Sequence, residues 1–460
     1  MRRIYLAILV VAILVFSSCA QPPAEVPTPE TTPPAETIPP PPTPPPDTTP
    51  PSTISGLVAC NAYDGRVNVW WDKSAAEDFD HYNIYLNKAE MVDVTGIKAI
   101  QQIKDIATNT YQATGLEDGT KYYFAVTVVD KSGNENKLVA SVSATPGPMP
   151  SGTVDPDIEV DVYQPDRVWA GTTLLADNHI LERPRIIEVN MLGEIVWQYL
   201  LPVNLKQYTN PGLDVELLPN NNILFVLPRN GVYEMERSGK VVWSYLTSKI
   251  DHDADRLPNG NTIFVFGGYD QKSDAQVTEV NPKGDIVWTW YAKDHFDKAP
   301  YKDIYDEGWT HANAVTRLTN GNTLISPRNF NLLVEVDPKG TVVRTYGEGV
   351  FVNQHDPEVL PNGNILMANH GKPNRAIEFD PKTGKIVWQS AGFEQDASPV
   401  RDANRLPNGN TLITGTTEIV EVTPEGEIVW RLGLQGVSFS GQEAASLGFY
   451  KADRIGIVLP

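Results

Sequence analysis

From about residue 171 onward, short runs in which apolar and polar positions alternate recur at nearly constant spacing, with turn residues between them. The clearest copy reads Asp402-Ala-Asn-Arg-Leu-Pro-Asn-Gly-Asn-Thr-Leu-Ile-Thr, then Glu418-Ile-Val-Glu-Val, then Gly426-Glu-Ile-Val-Trp430. Alternation of this kind predicts half-buried strands. The Asn-Gly pairs at 259–260, 320–321, 362–363 and 408–409 supply the positive φ angles that tight hairpins require. Each copy therefore reads as four strands, a to d. Strand d ends in tryptophan (Trp197, Trp243, Trp288, Trp388, Trp430), with Arg344 breaking the series, and these rings are expected to pack between units. Six copies with a period of roughly 40 residues predict an all-β fold, a six-bladed β-propeller over residues 165–460. The first copy, from Trp169-Ala-Gly-Thr-Thr-Leu-Leu, lacks a strand a, and Tyr450-Lys-Ala-Asp-Arg-Ile455 aligns with the strand a that starts at Arg401. The C-terminal strand is thus expected to complete blade one and leave no long open edge.

Upstream, the pattern changes. Residues 54–146 carry runs of period two (Val67-Asn-Val-Trp-Trp71, Tyr82-Asn-Ile-Tyr85, Tyr122-Tyr-Phe-Ala-Val-Thr-Val128), as in an N-terminal β-sandwich. Gly115-Leu-Glu-Asp-Gly-Thr-Lys-Tyr122, with Asp130-Lys-Ser-Gly-Asn-Glu and Trp70 or Trp71, resembles the fibronectin type III domain and its tyrosine corner. Nothing in this unit looks catalytic; spacing or weak surface contact is its expected role. Residues 147–164 read as a linker to the ring. Residues 20–53 are rich in Pro and Thr, a composition that favours extended polyproline. At about 3.1 Å per residue such a spacer reaches roughly 100 Å.

Residues 1–19 read as an export signal. Arg2 and Arg3 precede an apolar run from Ile4 to Phe16, too short to span a membrane. Phe16-Ser-Ser-Cys19 resembles a bacterial lipobox, which implies lipidation at Cys19; an ordinary cleaved signal is the alternative. The expected location is extracytoplasmic, on the periplasmic or cell-surface side, tethered to the membrane by the lipid alone. With Cys19 lipidated, Cys60 has no disulfide partner and is expected to be a buried thiol. The net charge of −20 argues against nucleic acid and anionic headgroups as partners.

In a propeller, the start of strand a and the end of strand b share one mouth of the channel. His252, His311 and His355 stand at starts of strand a, with Asn313 two residues beyond His311 on the same face. Arg328 ends a strand b, and His370 takes the matching place one blade on. Arg401 and Tyr450 hold the strand a position in the remaining blades. A connection containing Tyr291, Phe296, Tyr301, Tyr305 and Trp309 is expected to lie over this mouth. Three imidazoles could hold a transition metal, but Arg328 and the lack of an obvious carboxylate partner favour an anion. Arginine offers a planar fork to an oxyanion, and histidine can act as nucleophile, acid or base.

His252-Asp-Ala-Asp-Arg-Leu-Pro-Asn-Gly-Asn, Trp309-Thr-His-Ala-Asn313, Ser326-Pro-Arg328, Gln354-His355 and Ala368-Asn-His-Gly371 together resemble the bacterial aryl-sulfate sulfotransferases, over about residues 165–460. The resemblance implies a six-bladed propeller that moves a sulfuryl group between phenols without a nucleotide donor, metal or other cofactor. It assigns the sulfurylated histidine to His355, the hold on the sulfuryl oxygens to His311, Asn313 and Arg328, and the remaining catalytic histidine to His252. Phenolic sulfates and phenols are the expected partners, with His370, Arg401, Tyr450 and Trp309 as substrate-binding residues. The sequence departs from the family in its N-terminal domain, in lacking a cysteine pair near the site, in Pro327 beside Arg328, and in His370 where Asp-Asn-Gly is more usual. The alternative is a non-catalytic surface propeller that binds an anionic or aromatic ligand or a protein partner. A quinone-dependent dehydrogenase is a weaker rival.

Overall fold

The protein is described by a computed structural model covering residues 46–209, 213–393, 399–439, 443 and 446–456. Cys19 lies outside the described residues. Nearly all regular structure is β. Residues 58–144 form two antiparallel sheets, one of three strands (order 58–61, 67–70, 110–113) and one of four (101–103, 79–87, 122–130, 142–144). Their inner faces are the alternating positions of the sequence: Val67, Val69 and Trp71 pack on Tyr82, Ile84, Phe124, Val126 and Val128. The Tyr122 hydroxyl accepts a hydrogen bond from the Glu117 N–H (3.1 Å), which pins the corner. Cys60 is buried, and desolvation pushes its thiol up to about 12.

From residue 158 the chain builds six antiparallel sheets. The second to fifth are four consecutive strands each, beginning at Asp214–Leu217, Ala254–Arg256, Ala312–Arg317 and His355–Val359. The sixth holds Val400–Arg405 through Ile428–Leu434. The first combines Thr172–Asp177, Arg185–Val189 and Ile195–Leu200 with the C-terminal strand Phe449–Ile455, which pairs with Thr172–Asp177. The hairpin glycines Gly260, Gly321, Gly363 and Gly409 have φ of 85° to 89°, a region other L-residues seldom adopt.

One repeated latch joins neighbouring sheets. An arginine at or next to the end of strand a reaches a glutamate on strand c of the preceding sheet and lies over its strand d tryptophan. Arg256 does so with Glu234 (2.9 Å) and Trp243, Arg317 with Glu279 (2.7 Å) and Trp288, and Arg405 with Glu378 (2.7 Å) and Trp388. Arg454 on the C-terminal strand does the same with Glu421 (3.3 Å) and Trp430 of the sixth sheet. The tryptophan indoles donate to carbonyls of the following sheet: Trp243 to Pro282, Trp388 to Pro424, and Trp430 to Met191 of the first sheet. Where Val359 replaces the arginine, the tryptophan position holds Arg344, and Glu335 bonds Tyr346 instead.

The 147–164 stretch is not a plain connector. Ile158–Tyr163 adds a fifth strand to the edge of the sixth sheet, pairing with Ile428–Leu434. Asp155 meanwhile binds Arg185 of the first sheet (2.7 Å), so this segment straps the sixth sheet to the first.

Candidate functional site

Four of the six a strands carry a local irregularity near their start. The ladder slips between Ala312 and Ala314, His355 and Glu358, Val400 and Asp402, and Phe449 and Ala452. Such bulges re-aim side chains and concentrate beside functional sites. They place Asn313, His355, Arg401 and Tyr450 in one small cavity, joined by His252, whose own φ is 43°. The volume open to a water centre is about 10 Å³, room for about one water.

The repeat corrects one expectation. Arg256 and Arg317 occupy the same register, opposite Thr262 and Thr323. Counting back four residues reaches His252 and Asn313, so Asn313 rather than His311 is the equivalent of His252. His311 comes from two residues earlier, at φ 47°, and reaches the site sideways: its Nε2 lies 3.2 Å from His252 Nε2.

Hydrogen bonds fix where the protons sit. The Nδ1–H of His355 donates to the Asn353 carbonyl (2.9 Å), which leaves Nε2 with its lone pair. Burial lowers the pKa of His355 well below the usual imidazole value, and the charges of His370, Arg328 and His252 lower it further. His370 stacks on that ring, centroids 4.4 Å apart, and donates Nε2–H to the Val400 carbonyl (2.6 Å). Burial takes His370 down to about 4. His311 donates Nδ1–H to the Asp306 carbonyl (3.2 Å) and is also held neutral, by burial and then by His252 and Arg328. Its Nε2 is therefore an acceptor, and His252 Nε2 carries the proton between them.

Asp251 is a site residue the sequence reading missed. Its Oδ1 lies 2.9 Å from His252 Nδ1, off the line of an ideal hydrogen bond. Its carboxylate is itself held by the N–H groups of Gly267 (3.1 Å) and Gly268 (2.6 Å). A carboxylate partner for a site histidine therefore exists, next in sequence to it.

Arg328 does not line the cavity. Its guanidinium donates to Asn329 Oδ1 (2.9 Å) and pairs with Asp306 (3.3 Å), close enough that its charge depresses His311, His355 and His370. Asn313 Nδ2 donates to the Gln354 carbonyl (2.8 Å), while its Oδ1 is buried without a partner. Arg401 lies over the Tyr450 ring, 5.1 Å to the centroid. Enclosure pushes the Tyr450 phenol up, which keeps it neutral. Trp309 is a core residue here: it packs on Phe330, its indole N–H donates to the Tyr301 carbonyl (2.9 Å), and it does not line the cavity.

Below the histidines the cavity is acidic. Lys451 stands among Asp214 (3.3 Å), Asp253 (3.7 Å) and Asp356 (3.3 Å), which with it form the cavity floor. Burial opposes its charge, but Asp214, Asp356, Asp253 and Asp402 outweigh that and push the ammonium well up. One layer further, burial raises Asp255, Glu358 and Asp453 to about 6 and Glu216 to about 8. The acids were readable in His252-Asp253, His355-Asp356 and Arg401-Asp402, which repeat one position after the site residues. Among the described residues, the group of three potential metal ligands within 4.8 Å of one another is Asp47, just before the sandwich, with Asp78 and Asp130 of the sandwich.

Residues 163–349 match the model of the arylsulfotransferase (ASST) family, and residues 49–143 that of the fibronectin type III domain. The first match includes His252, His311, Asn313 and Arg328 and ends before His355. A third model, outer membrane protein assembly factor BamB, matches residues 273–447. No curated protein matches the chain. Among solved structures, a protein of unknown function from Bacteroides caccae is 18% identical, over 62% of this chain and 98% of that one, with a TM-score of 0.44. A catalytically inactive virginiamycin B lyase from Staphylococcus aureus, solved with quinupristin, is 10% identical over 62% and 88%, with a TM-score of 0.37. The WD40 β-propeller domain of Doa1 is 13% identical over 72% and 92%, with a TM-score of 0.36.

Proposed function

With an arylsulfotransferase-family region behind a fibronectin type III domain as the premise, we propose that this chain moves a sulfuryl group from an aryl sulfate to a phenol at the mouth of a six-bladed propeller. The latch that Arg454 repeats between the sixth and first sheets supports a closed ring of six blades. We take residues 165–460 as the ring, 54–146 as the fibronectin-like domain and 20–53 as its spacer. Lipidation at Cys19 would tether the protein on the outer side of a membrane.

The observation that carries the reading is His355: a neutral imidazole whose Nδ1–H is tied to a carbonyl and whose Nε2 lone pair meets no donor among the described residues. Nε2 attacks sulfur in line, the sulfur–oxygen bond to the aryl group breaks, and its electron pair leaves with the phenolate. The Asn353 carbonyl steadies the positive charge the ring gains as the nitrogen–sulfur bond forms. His252, which holds a proton on Nε2, gives it to the departing phenolate. In the second half-reaction His252 takes the proton of the accepting phenol, whose oxygen attacks sulfur and releases His355. The resemblance gives the sulfuryl oxygens to Arg328, His311 and Asn313; of these Arg328 carries the positive charge that counters theirs, while both His311 ring nitrogens and Asn313 Nδ2 are engaged within the protein. A phenol pKa near 10 makes an aryl oxygen a far better leaving group than an alkyl one. No cofactor enters any of these steps.

Initial-rate kinetics test the scheme. With para-nitrophenyl sulfate varied at several fixed phenol concentrations, a covalent intermediate gives parallel double-reciprocal lines. Lines that intersect mean that both substrates must be bound together, and the sulfurylated histidine is then ruled out.

A further inference from the structure

Two exposed residues beside the site have strained backbones and no role in the steps above. Arg229 (φ 60°) follows strand b of the second sheet, and Tyr269 (φ 67°) follows the Gly267-Gly268 turn of the third. Left-handed backbone is rare for side chains of this bulk, persists only where the surroundings impose it, and clusters at ligand sites. Here two short bonds impose it: the Arg229 N–H donates to the Ile250 carbonyl (2.7 Å), and the Tyr269 N–H to the Glu307 carbonyl (2.6 Å).

Both anchors belong to the site's own framework. Ile250 is two residues before His252, and Glu307 follows Asp306, whose carbonyl holds His311. Gly268, next to Tyr269, packs so closely on His252 that a Cβ there would lie 3.4 Å from the ring Cε1. The Arg229 guanidinium lies over the Tyr269 ring, 5.8 Å to the centroid. That ring remains 54% exposed. Among the described residues the guanidinium has no ion-pair or hydrogen-bond partner beyond this ring contact. In a chain with 57 acidic and 37 basic residues, an arginine left without an acid is a place for an anion from solution.

We infer that Arg229 and Tyr269 form an acceptor subsite at the mouth that selects phenols carrying a negatively charged ring substituent. The phenol ring lies against Tyr269, and the substituent, away from the reacting hydroxyl, meets Arg229. The pairing uses two established preferences: aromatic rings pack on exposed aromatic faces, and a guanidinium fork suits a carboxylate. This inference rests on the sulfotransferase reading for its substrate class.

The test compares phenol with para-hydroxybenzoate as acceptors, with para-nitrophenyl sulfate as donor and the full chain as enzyme. Asparagine suits left-handed backbone, so Arg229→Asn and Tyr269→Asn keep the loops while removing the two recognition groups. The ratio of kcat/KM for para-hydroxybenzoate over phenol falls about tenfold in Arg229→Asn, the size of one charge-assisted hydrogen bond. In Tyr269→Asn, KM rises several-fold for both acceptors. A ratio within twofold of the parent for Arg229→Asn overturns the subsite. If the parent protein transfers nothing, the enzymatic reading has failed separately, and calorimetric titration with para-hydroxybenzoate decides the subsite. Affinity that drops about tenfold in Arg229→Asn upholds it as a binding site; equal affinity, or no binding by the parent, overturns it.

Discussion

Lys451 is the cation at the centre of a cluster of acids, and removing it should cost stability in a way that depends on pH. Lys451→Met keeps the length of the stem and deletes the charge. Three carboxylates stand 3.3, 3.7 and 3.3 Å from its ammonium. At an effective dielectric near 20, each of the closer contacts is worth about 5 kcal/mol before desolvation and carboxylate repulsion are subtracted. The net cost of removing one partner from such a buried cluster is about 3–5 kcal/mol. The lysine side chain is 15% exposed, which puts the expectation at the lower end, about 3 kcal/mol at pH 8.

The sign of the pH dependence follows from the carboxyls. Asp255, Glu358 and Asp453 are raised to about 6 and Glu216 to about 8. A group raised in the folded state contributes stability that is present below its unfolded pKa and is lost as pH rises through the folded one. Losing Lys451 raises these groups further, so the penalty grows between pH 5 and pH 8 and shrinks when the acids are protonated. Urea unfolding followed by tryptophan fluorescence at both pH values measures it. A penalty that is equal at pH 5 and pH 8, or below about 1 kcal/mol at pH 8, refutes the reasoning.

Other outcomes are expected. His355→Ala abolishes transfer from para-nitrophenyl sulfate while the circular dichroism spectrum stays that of the parent; a dead-site binding protein would keep its function through this change. Arg328→Met lowers kcat by about 100- to 1,000-fold, as for other preorganised oxyanion donors, whereas a loss below threefold removes it from the chemistry. The acid limb of kcat/KM falls well below pH 6.5, because burial keeps His355 neutral there; an inflection at the ordinary imidazole value counts against it as the nucleophile. Folding stability nonetheless declines as pH falls below about 6.5, since His311, His355 and His370 must take up protons that only the unfolded chain accepts readily.

Much of this molecule was legible in its sequence because the repeat is built from turn chemistry and alternation, both local. The Asn-Gly turns and the strand d tryptophans mark the strand boundaries and the inter-sheet contacts. His252 and His355 could be placed together because both sit four residues before the latch position. His311 stands two residues before the position equivalent to His252, as a count back from Arg317 shows, and its sideways approach to His252 comes with a left-handed φ of 47° that a pattern of period two does not reveal. The core position of Trp309 is not legible in the sequence, because an aromatic-rich connection looks alike whether its rings face solvent or core. Lys451 was hidden because its meaning depends on carboxylates brought from three other sheets. Ile158–Tyr163 alternates as a strand does, but nothing local says which edge it joins.

The central claim is that His355 carries the sulfuryl group, and one measurement addresses it directly. The protein is incubated with para-nitrophenyl sulfate, quenched in alkali, digested and mapped by mass spectrometry, with and without a phenol chase. The account predicts one sulfuryl group on His355 that disappears when phenol is added. Nitrophenol release with no adduct, an adduct on another residue, or no release from any of several aryl sulfates contradicts it.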